Sequence, residues 1–80
     1  MAYYIYINLM VTNIYEKLGK NIKKYRKAKK LTQRNLAVAL DCTYEYICHI
    51  ERGQMSISLK KLFQLADILE VKMSDLIDFD

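Results

Sequence analysis

Apolar residues recur along the chain with two different periods. From Asn13 onward the spacing is helical: Ile14, Leu18, Ile22 and Tyr25 share one stripe, and lysines cover the other faces. This predicts a helix over residues 13–29, capped by Asn13 with Glu16 as its capping-box partner. Thr32 is a good N-cap for a second helix, whose apolar face is Leu36, Ala37 and Leu40. That run ends at Asp41, a residue type that tolerates the left-handed conformation better than most. Thr43 caps a third helix with Ile47 and Ile50 inward, and Gly53 stops it. Ser58 caps a fourth, with Leu59, Leu62, Phe63, Ala66 and Leu69 expected inward. Ser74 opens a short last turn expected to bury Leu76 and Ile77.

The first eleven residues follow a period of two. Tyr3, Ile5, Ile7, Leu9 and Val11 alternate with Tyr4, Tyr6, Asn8 and Met10, a β-favouring composition. No second strand is legible, and a lone strand cannot pair its backbone groups. The expected partner is the same segment, residues 3–11, of another copy, antiparallel about a two-fold axis. The alternative is a frayed tail ahead of Met10. The expected fold is all-α, a five-helix domain over residues 13–80, with residues 1–12 as an N-terminal extension able to form a β-strand.

Composition narrows the class further. A chain of 80 residues is one domain with a small core. The absence of proline and the presence of only two glycines, Gly19 and Gly53, argue against a turn-rich β fold. A hydrophobic share of 52% is too high for a disordered chain. Two cysteines make no disulfide framework and suit a reducing cytoplasm. There is no apolar run of about 18 residues to cross a membrane. The N-terminus lacks the basic region and small-residue cleavage site of a signal peptide.

The net charge is +4, and its distribution is uneven. Nine of the thirteen basic residues lie between positions 17 and 34, and no acid stands between Glu16 and Asp41. The C-terminal end is acidic, with Asp67, Glu70, Asp75, Asp78 and Asp80. One basic end suits a polyanion, although a solvated lysine-rich helix has the same composition.

The stretch "DCTYEYICHIERG", residues 41–53, holds both cysteines and the single histidine. As a metal site it fails: Cys42, Cys48 and His49 lack paired zinc spacing, and neighbours in a helix point about 100° apart. No Cys-x-x-Cys, serine elbow or phosphate-binding glycine loop is present, so neither an enzyme nor a cofactor is expected. Cys42 and Cys48 read as structural bystanders. On a helical wheel Ile47 and Ile50 face one way, while Glu45, His49 and Arg52 face the other, flanked by Tyr44 and Tyr46. A short helix, a tight turn and a second helix with an outward polar face is the layout that enters the DNA major groove.

The segments "LTQRNLA", "YICHIERG" and "LFQLADILEV" resemble, in order and spacing, the phage-repressor and Cro-like helix-turn-helix family, also called XRE-type regulators. The resemblance covers residues 18 to about 77. It implies a five-helix domain that binds double-stranded DNA, usually as a homodimer on a pseudo-palindromic operator, with residues 43–52 as recognition helix. It places Tyr44, Glu45 and His49 at base-facing positions. It places Gln33 on a phosphate and against the recognition helix, with Thr32 beside it. Lys27, Tyr46, Arg52 and Gln54 fall near the DNA backbone. Arg26 and Glu51 match an arginine–glutamate pair that ties the first helix to the third. Asp41 departs from the family's turn glycine, and Ile57 stands where proline is common.

Two functions are therefore expected to compete. The first is a sequence-specific transcriptional regulator, most simply a repressor, in a bacterial or phage cytoplasm. The second is a protein-interaction module, such as an antitoxin-like or anti-repressor partner, suggested by the apolar residues 3–11 and the acidic end. The clustered cations favour the first. The dimer surface is expected either on residues 3–11 or on the C-terminal helices around Leu76 and Phe79.

Overall fold

The computed structural model describes the backbone of residues 2–79 and the side chains of residues 14–79. Five helices follow one another: α1 (Ala2–Ala28), α2 (Gln33–Leu40), α3 (Tyr44–Glu51), α4 (Leu59–Leu69) and α5 (Met73–Leu76). The described residues contain no strand.

The strand expected over residues 3–11 is not formed, because α1 begins at Ala2. The reason lies in the backbone. A strand without a neighbour leaves its N–H and C=O groups unpaired, whereas a helix closes them within the segment. That gain outweighs the β-preference of tyrosine and isoleucine, which is largely a preference for a partner to pack against. Asn13 consequently lies inside α1 rather than at its start, and the boundary drawn between residues 12 and 13 crosses a continuous helix.

The later caps follow the sequence closely. Thr32 Oγ1 accepts from the Asn35 N–H at 3.0 Å, and Asn35 Oδ1 accepts from the Thr32 N–H at 3.1 Å, a reciprocal box. Thr43 and Ser58 accept from Tyr46 and Lys61 N–H, each at 3.1 Å. The last helix starts earlier than Ser74. Asp75 Oδ2 accepts the Lys72 N–H at 2.9 Å, so the cap forms from the third helical position backwards.

Leu18, Ile22, Leu36, Leu40, Ile47, Ile50, Leu62, Leu69 and Leu76 form the core with Leu65 and two alanines, Ala37 and Ala66. Four expected members face out: Ile14, Leu59, Phe63 and Ile77. Leu65 takes the place that Phe63 was expected to fill. One residue is about 100° of turn, and the inward stripe of α4 runs through Leu62, Leu65, Ala66 and Leu69. Leu76 is wholly buried and so is not available for a dimer contact.

Both glycines sit where α1 crosses the end of α3. A Cβ on Gly19 would lie 2.6 Å from the Glu51 carbonyl oxygen, and one on Gly53 would lie 2.6 Å from Glu16 Cα. Gly53 also has φ +74°, the left-handed region that glycine enters without strain. The C-terminal side is fastened to α1 by Asn21, whose Nδ2 donates to the Leu76 carbonyl at 2.8 Å and the Asp78 carbonyl at 3.1 Å.

Candidate nucleic-acid interface

The turn between α2 and α3 fixes the two helices against each other. Asp41 adopts φ 56°, ψ 51°, the left-handed cap for which glycine is the usual residue. Its N–H donates to the Val38 carbonyl at 3.1 Å, and the Cys42 N–H reaches back to the Ala37 carbonyl at 3.0 Å. The last carbonyls of α2 are thereby satisfied, and Thr43 caps α3 three residues after α2 ends. Cys42 packs against the core, and burial pushes its thiol pKa up, in keeping with a small apolar side chain.

One edge of α3 is locked and the other is open. Ile47 and Ile50 are fully buried. Tyr44, Glu45, His49 and Arg52 are exposed, as is Gln54 beyond the helix. Tyr46 is half-buried against the core, and burial raises its phenol pKa. It therefore offers an edge to any ligand, not a free ring. Thr32 and Lys27 are exposed, and Gln33 is half-buried.

The lock is ionic as well as apolar. Arg26 Nε donates to Glu51 Oε2 at 2.7 Å and Nη2 donates to Oε1 at 3.2 Å, a two-point pair whose side chains are 8% and 3% exposed. Arg26 Nη1 also donates to the Leu31 carbonyl at 2.8 Å. Gln33 Nε2 donates to Glu51 Oε1 at 3.0 Å, and its Oε1 accepts from the Cys48 thiol at 3.6 Å. One amide thus ties α2 to α3 at two points and retains one N–H for an outside acceptor. Cys48 is a participant here, where the sequence suggested a bystander. The neighbouring Cys48 side chain is also the main influence that raises the Tyr44 phenol pKa.

Arg34 went unassigned in the sequence, counted only among the clustered cations. Its guanidinium carbon lies 4.5 Å from the centre of the Tyr44 ring. Nothing in linear spacing signals this contact, because the two residues meet only once the turn at Asp41 has folded.

Among the described residues, no three histidine, cysteine, aspartate or glutamate side chains converge on a possible metal position. Both cysteines are free thiols. No helix among the described residues is long and apolar enough to cross a membrane.

A helix-turn-helix family model (HTH_3) matches residues 22–76. The control protein C.BamHI of Bacillus amyloliquefaciens is 34% identical over 71 residues, covering 88% of each chain. An uncharacterized HTH-type transcriptional regulator of Methanocaldococcus jannaschii is 36% identical over 59 residues, covering 74% of this chain and 89% of its own. In structure, the restriction-modification controller protein C.AhdI of Aeromonas hydrophila superimposes with a TM-score of 0.74 at 32% identity, over 78% of this chain and 94% of its own.

Proposed function

The chain belongs to the helix-turn-helix family HTH_3, and from that premise we propose that it is a DNA-binding transcriptional regulator reading a pseudo-palindromic operator as a homodimer. The observation that carries this reading is the open edge of α3. Tyr44, Glu45 and His49 stand exposed together, while the opposite edge is held by Ile47, Ile50 and the Arg26–Glu51 pair. A helix that presents varied hydrogen-bonding groups on a rigid mount suits recognition of base edges.

In this reading α3 enters the major groove and α2 crosses the phosphate backbone. Lys27, Arg34 and Arg52 neutralise phosphates, and the remaining N–H of Gln33 reaches another. These contacts supply affinity without sequence choice. Choice comes from Glu45, which can accept from the cytosine N4 amine, and from His49, which can donate to a guanine acceptor. Glu45 also repels phosphate, so it penalises any register that does not offer a donor. No bond is made or broken, and no cofactor takes part. Occupying an operator represses by excluding other proteins, and the likeness to two controller proteins supports control of transcription as the role. The protein would act in the cytoplasm of a bacterium, on the nucleoid or on phage DNA.

The exposed apolar side chains Leu59, Phe63 and Ile77 support a homodimer surface on the α4–α5 side in place of the strand pairing through residues 3–11. A salt titration of duplex binding tests the DNA reading. Affinity should fall about tenfold to a thousandfold over a few-fold rise in salt. Affinity that ignores salt would contradict it.

A further inference from the structure

Tyr44 is the first helical residue of α3, and Arg34 is the second of α2. They belong to different helices, yet the Arg34 guanidinium lies over the Tyr44 ring, 4.5 Å from its centre. Both side chains are exposed, so the contact is not forced by the core. A planar cation over an aromatic face is held by the ring quadrupole and by stacking, and arginine does this better than lysine. The contact bridges the turn, so the ring is restrained by α2 as well as by its own attachment to α3.

We infer that Arg34 is a specificity-determining positioning residue, which fixes the Tyr44 ring at the start of the reading helix through this stack. The inference rests on the DNA-binding reading given above and adds to it a route by which α2 influences base choice. With one face covered by Arg34, Tyr44 can offer only its hydroxyl, its edge or its second face to DNA. A free tyrosine would sample several rotamers and meet several bases about equally well. A stacked one meets fewer, and this converts a sequence-tolerant aromatic into a selective contact. The guanidinium edge remains open to a phosphate, so a single side chain couples backbone grip to ring placement. Arg52 is a second cation whose charge reaches Tyr44, but it lies beyond the far end of α3 and does not cover the ring.

The test compares affinity for a selected operator with affinity for random duplex, in wild type, Arg34→Lys, Tyr44→Ala and the double variant. Arg34→Lys keeps the charge and loses the planar stack. It should lower affinity for the operator more than for random duplex, so that the operator-to-random ratio falls about two- to fivefold, the scale of an exposed cation–π contact. In the Tyr44→Ala background the same change should leave the ratio unaltered, since the residue acts through the ring. Thermal midpoints should fall by only a few degrees in the variants, because neither side chain is buried and an exposed stack contributes little to stability. An unchanged ratio in Arg34→Lys overturns the inference, and so does an equal drop with and without Tyr44. A wild-type protein that binds operator and random duplex alike overturns the DNA-reading account itself, a separate outcome visible before any variant is made.

Discussion

A Cβ on Gly19 would stand 2.6 Å from the carbonyl oxygen of Glu51. The closeness places the backbone of α1 directly against the C-terminal end of α3, and the side chain of Glu51 is the one that Arg26 and Gln33 hold. Glycine is needed here for space, since the position is helical and carries no positive φ. Gly19→Ala should therefore push α3 away from α1 and cost about 1–3 kcal/mol as an overpacking change. Urea denaturation of the two proteins measures it. Wild-type stability in the variant would show that the crossing can relax freely.

The Arg26–Glu51 pair gives the second prediction. Removing one partner leaves a buried charge unpaired, which costs about 3–5 kcal/mol. Glu51→Ala should be close to unfolding at room temperature, whereas Glu51→Gln should lose less because its amide oxygen still accepts from Arg26. Denaturant midpoints separate the two. Equal and small losses would mean that the apolar core alone positions α3.

Asp41 at φ 56° carries a strain that glycine would not. Asp41→Gly should stabilise the domain by about 0.5–1 kcal/mol, the left-handed penalty less the extra freedom of the unfolded chain. It should leave DNA affinity equal or higher, since a negative charge also leaves the turn. A drop in thermal midpoint would show that the aspartate side chain contributes a stabilising interaction of its own.

Phe63 is 63% exposed and Leu59 is 73% exposed, one helical turn apart on α4. If these residues meet a second copy, Phe63→Glu should weaken self-association by about 2 kcal/mol, the scale of an interface hot spot. Sedimentation equilibrium reads this directly, and the monomer should remain folded. A self-association constant that does not move would place the dimer elsewhere.

Much of the scaffold was legible from residue types. Thr32, Thr43 and Ser58 announced helix starts, because a short side-chain oxygen before an apolar run has one obvious use. The left-handed turn at Asp41, the outward set on α3 and the Arg26–Glu51 pair followed from spacing together with family likeness. What stayed hidden was set by three-dimensional neighbours. Residues 3–11 have the composition of a strand, but the described residues offer no second strand to pair with, and the backbone is helical from Ala2. Phe63 carries the hydrophobicity of a core residue at a position about 100° from the centre of the stripe, which a count of apolar positions does not resolve. Gly19 lay inside a helical pattern where glycine has no local purpose, and only the crossing with α3 explains it. The bracing roles of Gln33 and Cys48, and the stack of Arg34 on Tyr44, depend on atoms brought together by the turn.

The α3 surface yields the predictions closest to function. His49→Ala should relax site choice with modest loss on random duplex. Glu45→Ala should relax it while holding random duplex as tightly or more tightly, because a phosphate-repelling charge is removed. Lys27→Ala should weaken all duplexes alike and reduce the salt slope by about one phosphate. Binding assays on operator and random DNA at two salt concentrations distinguish these patterns. Identical losses on both DNAs for all three variants would remove the base-reading role of α3.

The central claim is that α3, mounted on this fold, reads DNA sequence as half of a symmetric dimer. Selection from a random duplex pool at about 0.15 M salt, followed by sequencing, tests it most directly. The account predicts an enriched motif with two-fold symmetry and half-sites spaced by about one helical turn of DNA or a multiple of it. A folded protein that enriches no motif would contradict it and would turn attention to a protein partner instead.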